Sequence, residues 1–319
     1  MEDRTVIACT GIHHWFGPKP VLHDIDIEII RGEIVALVGP SGCGKSTLLR
    51  AIVGTHPPRQ GRVVVYDGVN GSRVGHEVRG PGRDRGIVYQ RYSLFPNLTA
   101  IKNVAFGLML DETTVPYRLF RFPGWRRRRR AHLEEAGAFL DKLGLGHAKD
   151  SYPHELSGGM RQRVAIAQAL IMKPAILLLD EPFGALDEAT REDLQRTLLT
   201  LYAENQEALN TNEPPPHTIL MVTHELNEAI FVSDRVIGLS QYWDWKQDGH
   251  GAFPGATIVY DQLAPVFEPD NDREFQLFQK QKQEILKSTF DPAHCQERSE
   301  WIGFWDQVRA GEGRGILKL

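Results

Sequence analysis

The chain has 319 residues, of which 41% are hydrophobic and 24% are charged, and its formal net charge is −4. This length is enough for one large or two small domains with a buried core, and the mildly acidic balance argues against a general nucleic-acid binder. Cys9, Cys43 and Cys295 are odd in number and far apart, which indicates a reducing compartment and neither a disulfide framework nor a zinc site. The longest apolar runs have about five residues, too few for a membrane-spanning helix. We therefore expect a protein that is soluble or attached to a membrane from outside.

Two segments near the N-terminus have the pattern of antiparallel strands. Residues 24–29, Asp-Ile-Asp-Ile-Glu-Ile, alternate strictly between polar and apolar side chains. Residues 62–67 form a second β-rich run, and the Asp67-Gly68 pair that ends it is typical of a hairpin turn. The sequence therefore predicts a small antiparallel sheet in this region.

A glycine-rich loop follows the apolar run Ile34–Val38 and precedes a helix-forming segment. This strand–loop–helix context is that of an ATP phosphate-binding loop. Lys45 offers a cation to the β- and γ-phosphate oxygens, and Ser46 is a candidate Mg²⁺ ligand. We treat the Cys43 side chain as incidental, although a place on an anion-binding loop predicts a lowered thiol pKa. The loop residues expected to contact the nucleotide are Gly39, Ser41, Gly42, Cys43, Gly44, Lys45, Ser46 and Thr47.

Residues 94–173 contain no comparable strand and are predicted to be mostly helical, with helices over 130–143 and 160–172. Gln90 ends a short strand at the junction with this region, where its amide is expected to touch Mg²⁺ or water and to sense the γ-phosphate. Residues 111–130 have the character of an insertion ending in five arginines. The arginines fit a solvated helix start or, alternatively, a contact with anionic lipid headgroups.

Residues 157–163, Ser-Gly-Gly-Met-Arg-Gln-Arg, form the motif that narrows the class of protein most, because phosphate loops occur in many unrelated nucleotide-hydrolysing enzymes. Ser157 is expected to cap a helix that begins near Met160, and Gly158 and Gly159 leave the backbone bare, so that the helix N-terminus can approach an anion. The phosphate loop already supplies one such cradle. Two anion-binding elements in one domain suggest that each serves a different ATP, and hence that two chains work as a pair.

Polar residues follow two further buried runs. Ile176–Asp180 leads into Glu181, and residues 219–222 lead into Thr223 and His224. Continuous apolar runs of this kind predict parallel strands covered on both faces, with chemistry at their carboxyl ends. Asp180 is a candidate Mg²⁺ partner, directly or through water. Glu181 is a candidate base for the attacking water, the alternative being a pairing with an arginine. His224 is placed to bond the γ-phosphate or the water.

The predicted fold class is α/β, with a phosphate-loop core built on a mostly parallel sheet. An antiparallel β-subdomain lies near the N-terminus, and a helical subdomain is inserted at about residues 91–172. We place a nucleotide-binding domain at residues 1–240. Residues 241–319, rich in tryptophan, form a C-terminal extension with a strand and a helix on or beside the core.

The order of these motifs closely resembles the ATPase subunit of ABC transporters over residues 1–240. The matching parts are the phosphate loop, Gln90, residues 156–162, Asp180-Glu181, residues 184–187 and His224. The resemblance implies a head-to-tail dimer around two Mg·ATP, in which ATP held by one chain is completed by the other chain's Ser157 and Gly159. It also implies that Asp187 communicates across the interface. An aromatic side chain is implied to stack on adenine, and we assign that role to Phe16, with Trp15 as the alternative.

Residues 181–187, 221–229 and 233–235 resemble bacterial importer subunits, and residues 80–86 resemble the nitrate, sulfonate and taurine branch. The resemblance implies transmembrane permease subunits, a periplasmic or lipoprotein solute-binding protein, and a peripheral place at the cytoplasmic face of the inner membrane. The second ATPase subunit is a further copy or a related paralogue, and the solute is a small oxyanion such as nitrate or an organosulfonate such as taurine. Residues 91–110 are implied to receive a permease helix, with an apolar wall of Tyr92, Leu94, Phe95 and Leu98. An exporter or lipid-transporter ATPase is the alternative.

Overall fold

The computed structural model describes residues 4–69, 72–90, 93–112, 122–184, 186–264 and 272–295. One of its two sheets is antiparallel, with strand order β2-β1-β4-β5. Its strands are β1 (Thr5–Phe16), β2 (Lys19–Ile30), β4 (Gln60–Val69) and β5 (Ser72–Glu77). The alternation predicted over residues 24–29 lies in β2, where Ile25, Ile27 and Ile29 are buried. The turn predicted at Asp67-Gly68 is wrong, because the β4–β5 ladder continues to the pair Val69 and Ser72.

The second sheet has six strands in the order β10-β9-β3-β8-β7-β6. The strands are β3 (Ile34–Val38), β6 (Arg85–Val88), β7 (Ile176–Asp180), β8 (Ile219–Thr223), β9 (Arg235–Ser240) and β10 (Thr257–Leu263). All neighbours run parallel except β10, which is antiparallel to β9. The apolar runs predicted as buried parallel strands are β3, β7 and β8. Because these strands are parallel, the polar residues after them gather at one edge of the sheet.

The helices are α1 (Lys45–Val53), α2 (Ala100–Glu112), α3 (Phe122–Lys142), α4 (Gly158–Leu170), α5 (Glu188–Asn210), α6 (Leu226–Val232) and α7 (Asp272–Ile285). Helices α2, α3 and α4 pack around a core of their own that includes Val104, Leu140 and Val164, which gives the predicted helical subdomain. The arginine run lies inside α3, where four of its five residues are exposed. Within the described part of the chain, no helix is long and apolar enough to cross a membrane.

Each face of the six-stranded sheet is covered. Leu37 on one face belongs to a core that includes Ile27 of the antiparallel sheet and Leu48 of α1. The other face packs against α5, α6 and α7 in a second core. The first core holds the antiparallel sheet against the strand that leads into the phosphate loop.

The predicted C-terminal extension supplies β10 and α7. Arg235 of β9 is fully buried, and its guanidinium donates two hydrogen bonds of 2.6 Å to the carboxylate of Asp261 in β10. Gln281 of α7 donates to the carbonyl of Leu263 at 2.8 Å. A buried ion pair with two well-formed hydrogen bonds fixes the register of this edge strand. Trp301 and Trp305 lie outside the described residues, as does Tyr92.

Candidate nucleotide site

The phosphate loop connects β3 to α1 and is tightly packed. A Cβ on Gly39 would lie 2.1 Å from the carbonyl oxygen of Leu239, and one on Gly44 would lie 2.7 Å from Leu22 Cδ2. Gly44 also has a φ of 109°, which side chains rarely adopt. Both positions therefore require glycine. The contact at Gly44 also shows that Leu22 of β2 packs against the loop.

Charge and backbone donors converge on the loop. The ammonium group of Lys45 donates to the carbonyls of Gly39 at 2.7 Å and Pro40 at 3.0 Å, which holds it over the loop. Lys45 is also the first residue of α1, so the helix presents its amide-rich end there, with no acidic residue in its first turn. Ser41 and Gly42 are exposed on the loop, and Ser46 and Thr47 are half-buried. The arrangement suits a polyphosphate anion.

The thiol pKa of Cys43 differs from the expectation for an anion-binding loop. Its side chain is buried, and burial raises the pKa of the thiol despite the nearby Lys45. Burial disfavours the charged thiolate more strongly than the ammonium group stabilises it. The lowered thiol pKa expected at this position is wrong, and the incidental role of the Cys43 side chain stays a prediction.

Two oxygen ligands lie side by side at the end of β7. The hydroxyl of Ser46 donates to Asp180 Oδ1 at 3.3 Å. Burial raises the pKa of Asp180, and the Ser46 hydrogen bond opposes that rise. A hydroxyl and a half-buried carboxylate from separate elements are hard oxygen donors of the kind that Mg²⁺ prefers. The residues present therefore fit a magnesium ion.

Gln90, Glu181 and His224 are brought together at the same sheet edge. The Gln90 amide donates to Glu181 Oε2 at 3.0 Å, and His224 Nδ1 lies 3.5 Å from Glu181 Oε1. Glu181 has a φ of 49°, a rare conformation for a residue other than glycine, and its N–H donates to Val222 of the neighbouring strand. The partners of this carboxylate among the described residues are an amide and an imidazole, and not the arginine considered as the alternative. A carboxylate with such partners is a group that can accept a proton.

Ser157 caps α4 as predicted, since its hydroxyl accepts from the N–H of Met160 at 3.2 Å. Ser157 is exposed and Gly158 half-buried, so this end of the helix is accessible. Gly159 has a further reason to be glycine. A Cβ there would lie 2.3 Å from the Cγ2 of Thr190 in α5. Gly159 is itself buried and brings α4 and α5 into close contact, so the accessible part of this helix end is Ser157 and Gly158.

Thr190 was not singled out from the sequence. Its N–H and hydroxyl donate to the Asp187 carboxylate at 2.9 and 3.1 Å, so Asp187 is the N-cap of α5. These hydrogen bonds lower the pKa of Asp187. An aspartate three residues before a threonine at the start of a helix is a capping pattern that would have identified the pair.

Phe16 lies at the tip of the β1–β2 hairpin, where it pairs with Lys19 across a turn that contains Gly17 with a φ of 55°. Its side chain is 47% exposed and that of Trp15 is 36% exposed. The same hairpin supports the phosphate loop through Leu22. An exposed aromatic ring is therefore available at the tip of a hairpin whose second strand, β2, contacts the loop.

The segment predicted to receive a permease helix borders a cavity of about 460 Å³ between β6, α2 and α4. Tyr89, Leu110 and Met172 are among its lining residues. Phe95 is 42% exposed, and the centroid of its ring lies 4.6 Å from that of Phe106. Leu94 and Leu98 are half-buried. An apolar surface is thus present beside the helical subdomain.

Comparisons with known proteins agree with this geometry. The family model for the ABC transporter domain matches residues 22–184. An uncharacterised ABC transporter ATP-binding protein of Methanocaldococcus jannaschii is 41% identical over 219 residues, which cover 69% of this chain and 70% of that protein. The nitrate import ATP-binding protein NrtC of Synechococcus elongatus is 37% identical over 310 residues, which cover 95% of this chain but only 38% of NrtC.

A solved structure gives the same result for the fold. It is a dimer of an ATP-binding cassette in a post-hydrolysis state bound to ADP and Pi, similar to this chain with a TM-score of 0.57 and 26% identity. The match covers 82% of this chain and 100% of that one. The predicted α/β cassette fold and the predicted family are therefore confirmed, and the chain belongs to the ABC transporter family, within which it is an ATP-binding cassette.

Proposed function

We propose that the chain is the ATP-hydrolysing subunit of a bacterial ABC importer, which pairs around two ATP molecules and drives uptake through separate membrane subunits. The observation that carries the proposal is the cluster of Gln90, Glu181 and His224 beside the phosphate loop. A base, an amide and an imidazole at the end of parallel strands are suited to orienting water for attack on a γ-phosphate.

Each group has a role in the reaction. Lys45 and the loop amides bind the phosphates, and the ring of Phe16, or else Trp15, stacks on adenine. Ser46 and Asp180, with Gln90, would hold Mg²⁺, which supplies positive charge to the β- and γ-phosphates when bound. Glu181 accepts a proton from the attacking water, and His224 holds the water or the γ-phosphate. Catalysis rests on positioning and electrostatics.

Closure of a pair completes each site. Ser157 and Gly159 at the N-terminus of α4 would contact the ATP held by the other chain, and Asp187 would lie at the interface. The exposure of Ser157 and the dimeric state of the similar cassette support this arrangement. Since phosphate charge held by one chain is neutralised by the other, hydrolysis removes the link and the pair opens.

The transported solute is a small oxyanion or an organosulfonate. The similarity to a nitrate import protein over most of the chain supports a small oxyanion. The partners are transmembrane permease subunits and a periplasmic or lipoprotein solute-binding protein. The chain associates peripherally with the cytoplasmic face of the inner membrane. Nitrate and taurine uptake, measured in proteoliposomes with the permease and the binding protein, distinguishes the two solute classes and tests import against export.

Glu181→Gln tests the catalytic assignment. We expect ATP turnover to fall by at least about 100-fold while ATP binding is retained and a stable dimer accumulates with Mg·ATP, because only proton acceptance is lost. Phosphate release and light scattering measure the two effects. Glu225→Gln is the matched control, since Glu225 Oε1 lies 3.5 Å from His224 Nε2, and it keeps most of the activity. Wild-type turnover in Glu181→Gln would exclude Glu181 as the base.

A further inference from the structure

Three potential metal ligands meet where β2 contacts the loop of residues 241–256. His23 comes from β2, and Asp248 and His250 come from the loop. One ligand atom from each of the three side chains lies within 4.8 Å of the others. None of them belongs to the nucleotide site described above.

The loop is built so that its two ligands face the same point. Trp243 is buried and donates its indole N–H to the carbonyl of Gly255 at 3.0 Å. The N–H of His250 donates to the carbonyl of Trp245 at 3.0 Å. Gly249, between the two ligands, has a φ of 89°, a conformation that favours glycine and reverses the chain there. Asp248 and His250 are therefore held by a defined turn.

His23 is held from two sides. Its N–H donates to the carbonyl of Ala256 at 2.8 Å, and its ring stacks on the buried ring of Trp243 with centroids 5.6 Å apart. The His250 ring meets it edge to face at 4.7 Å. His23 and His250 are half-buried and Asp248 is exposed, so an ion can enter from solvent.

We propose that His23, Asp248 and His250 bind one divalent first-row transition-metal ion, with Zn²⁺ as the probe. Two imidazole nitrogens and one carboxylate oxygen suit such an ion, whereas Mg²⁺ prefers oxygen ligands alone. Three protein ligands leave at least one coordination position for water. The number and spacing of the cysteines indicated no zinc site, but that criterion does not detect a site made of two histidines and an aspartate.

The ion clamps the loop of the C-terminal extension onto β2. The strand and the loop are already joined by backbone hydrogen bonds at Val21 and His23 to Ala256. The neighbouring Leu22 packs against Gly44 of the phosphate loop. Among the three proposed ligands, His23 is thus the direct sequence neighbour of Leu22, which supports the nucleotide site. The site does not depend on the proposed transport function.

Zinc titration of the full chain tests the proposal. The protein is stripped with EDTA and titrated by calorimetry without nucleotide and in excess Mg²⁺, which occupies the oxygen site at Asp180. We expect one tight site in the wild type and a loss of affinity of at least about tenfold in both His250→Ala and Asp248→Asn. His147→Ala is the matched control, because His147 is exposed on another element, and it binds as the wild type does.

Two further readouts separate this site from others. Co²⁺ bound by two imidazoles and a carboxylate gives visible absorption bands, which Asp248→Asn abolishes. Zn²⁺ slows amide hydrogen exchange in residues 241–256 of the wild type and not of the variant. Asp248 is exposed, so Asp248→Asn keeps the fold even where His250→Ala does not. Absence of a zinc site in the wild type, or equal affinity in Asp248→Asn, overturns the proposal.

Discussion

At the scale of single residues, Asp234 places a carboxyl group in the interior that the proposed mechanism does not use. Its Oδ2 accepts from the N–H of Ile34 at 2.8 Å. Burial raises the pKa of Asp234 to about 7, an effect that the hydrogen bond opposes. Because the pKa is raised in the folded state, the folded protein binds this proton more tightly than the unfolded chain does. The resulting stabilisation of the folded protein is full at pH values below the pKa of Asp234 in the unfolded chain, and it is lost as the pH rises to about 7.

Asp234→Asn is therefore expected to change the pH dependence of stability. The asparagine carbonyl still accepts from Ile34, but it carries no charge at any pH. The free energy of unfolding of the variant, relative to the wild type, should be greater at pH 8 than at pH 5 by about 2–3 kcal/mol, at about 1.4 kcal/mol per pKa unit. Urea denaturation at the two pH values measures it. Asp150→Asn, at an exposed position, is the control and follows the wild type. An offset independent of pH would contradict the raised pKa.

The positions of the candidate site residues were predictable where these residues follow a strand, and their chemical roles stay predictions. Gln90, Glu181 and His224 each follow a short apolar run, and parallel strands bring such positions to one edge. The pKa of Cys43 was not predictable, since it depends on packing that the local sequence does not state. His23 and His250 are far apart in the chain and meet only because β2 contacts the loop of residues 241–256.

At the scale of elements, α4 and α5 approach each other at Gly159 and Thr190. The missing Cβ of Gly159 leaves space that Thr190 Cγ2 fills. Thr190 also bonds the Asp187 carboxylate through its hydroxyl. Gly159, in the motif of residues 157–163, and Asp187, the predicted interface residue, therefore both contact the side chain of Thr190.

Gly159→Ala should lower stability by about 1–3 kcal/mol through overpacking, although alanine is otherwise the better helix residue. Adding Thr190→Ser removes the methyl group in the way and keeps the hydroxyl bond to Asp187. The double variant should recover stability, as measured by urea denaturation. Unchanged stability in Gly159→Ala would contradict the packing role. Phosphate release adds a second readout: recovery of stability without turnover means that the bare backbone of Gly159 is also needed at the nucleotide.

Elements with regular patterns were predictable and irregular ones were not. The continuous runs of β3, β7 and β8 were recognised because burial on both faces removes polar side chains. The long strand β1 was not, since its register shifts at several points and Gly11 has a φ of 56°, which breaks the alternation. The end of β4 was misplaced because ladder pairing outweighed a local turn preference.

At the scale of the whole molecule, the order of motifs predicted the family and the cassette fold, since several motifs in a fixed order are far more restrictive than any one of them. Ser157 caps its own helix, and Lys45 bonds its own loop. The head-to-tail pairing is therefore a prediction that two chains must test together.

Mixing two inactive variants provides that test. Lys45→Ala removes the phosphate cation, and Ser157→Arg blocks the helix end that would complete the partner's site, so each variant alone should not turn over ATP. In a head-to-tail heterodimer both changes fall in one site and the other site is intact. Random pairing of an equimolar mixture should therefore restore about a quarter of wild-type phosphate release, if the two sites act independently. Ser157→Arg alone should still bind a fluorescent ATP analogue as a monomer. Loss of that binding would mean that Ser157 serves the site of its own chain, and heterodimers without recovery would contradict a head-to-tail pair with independent sites.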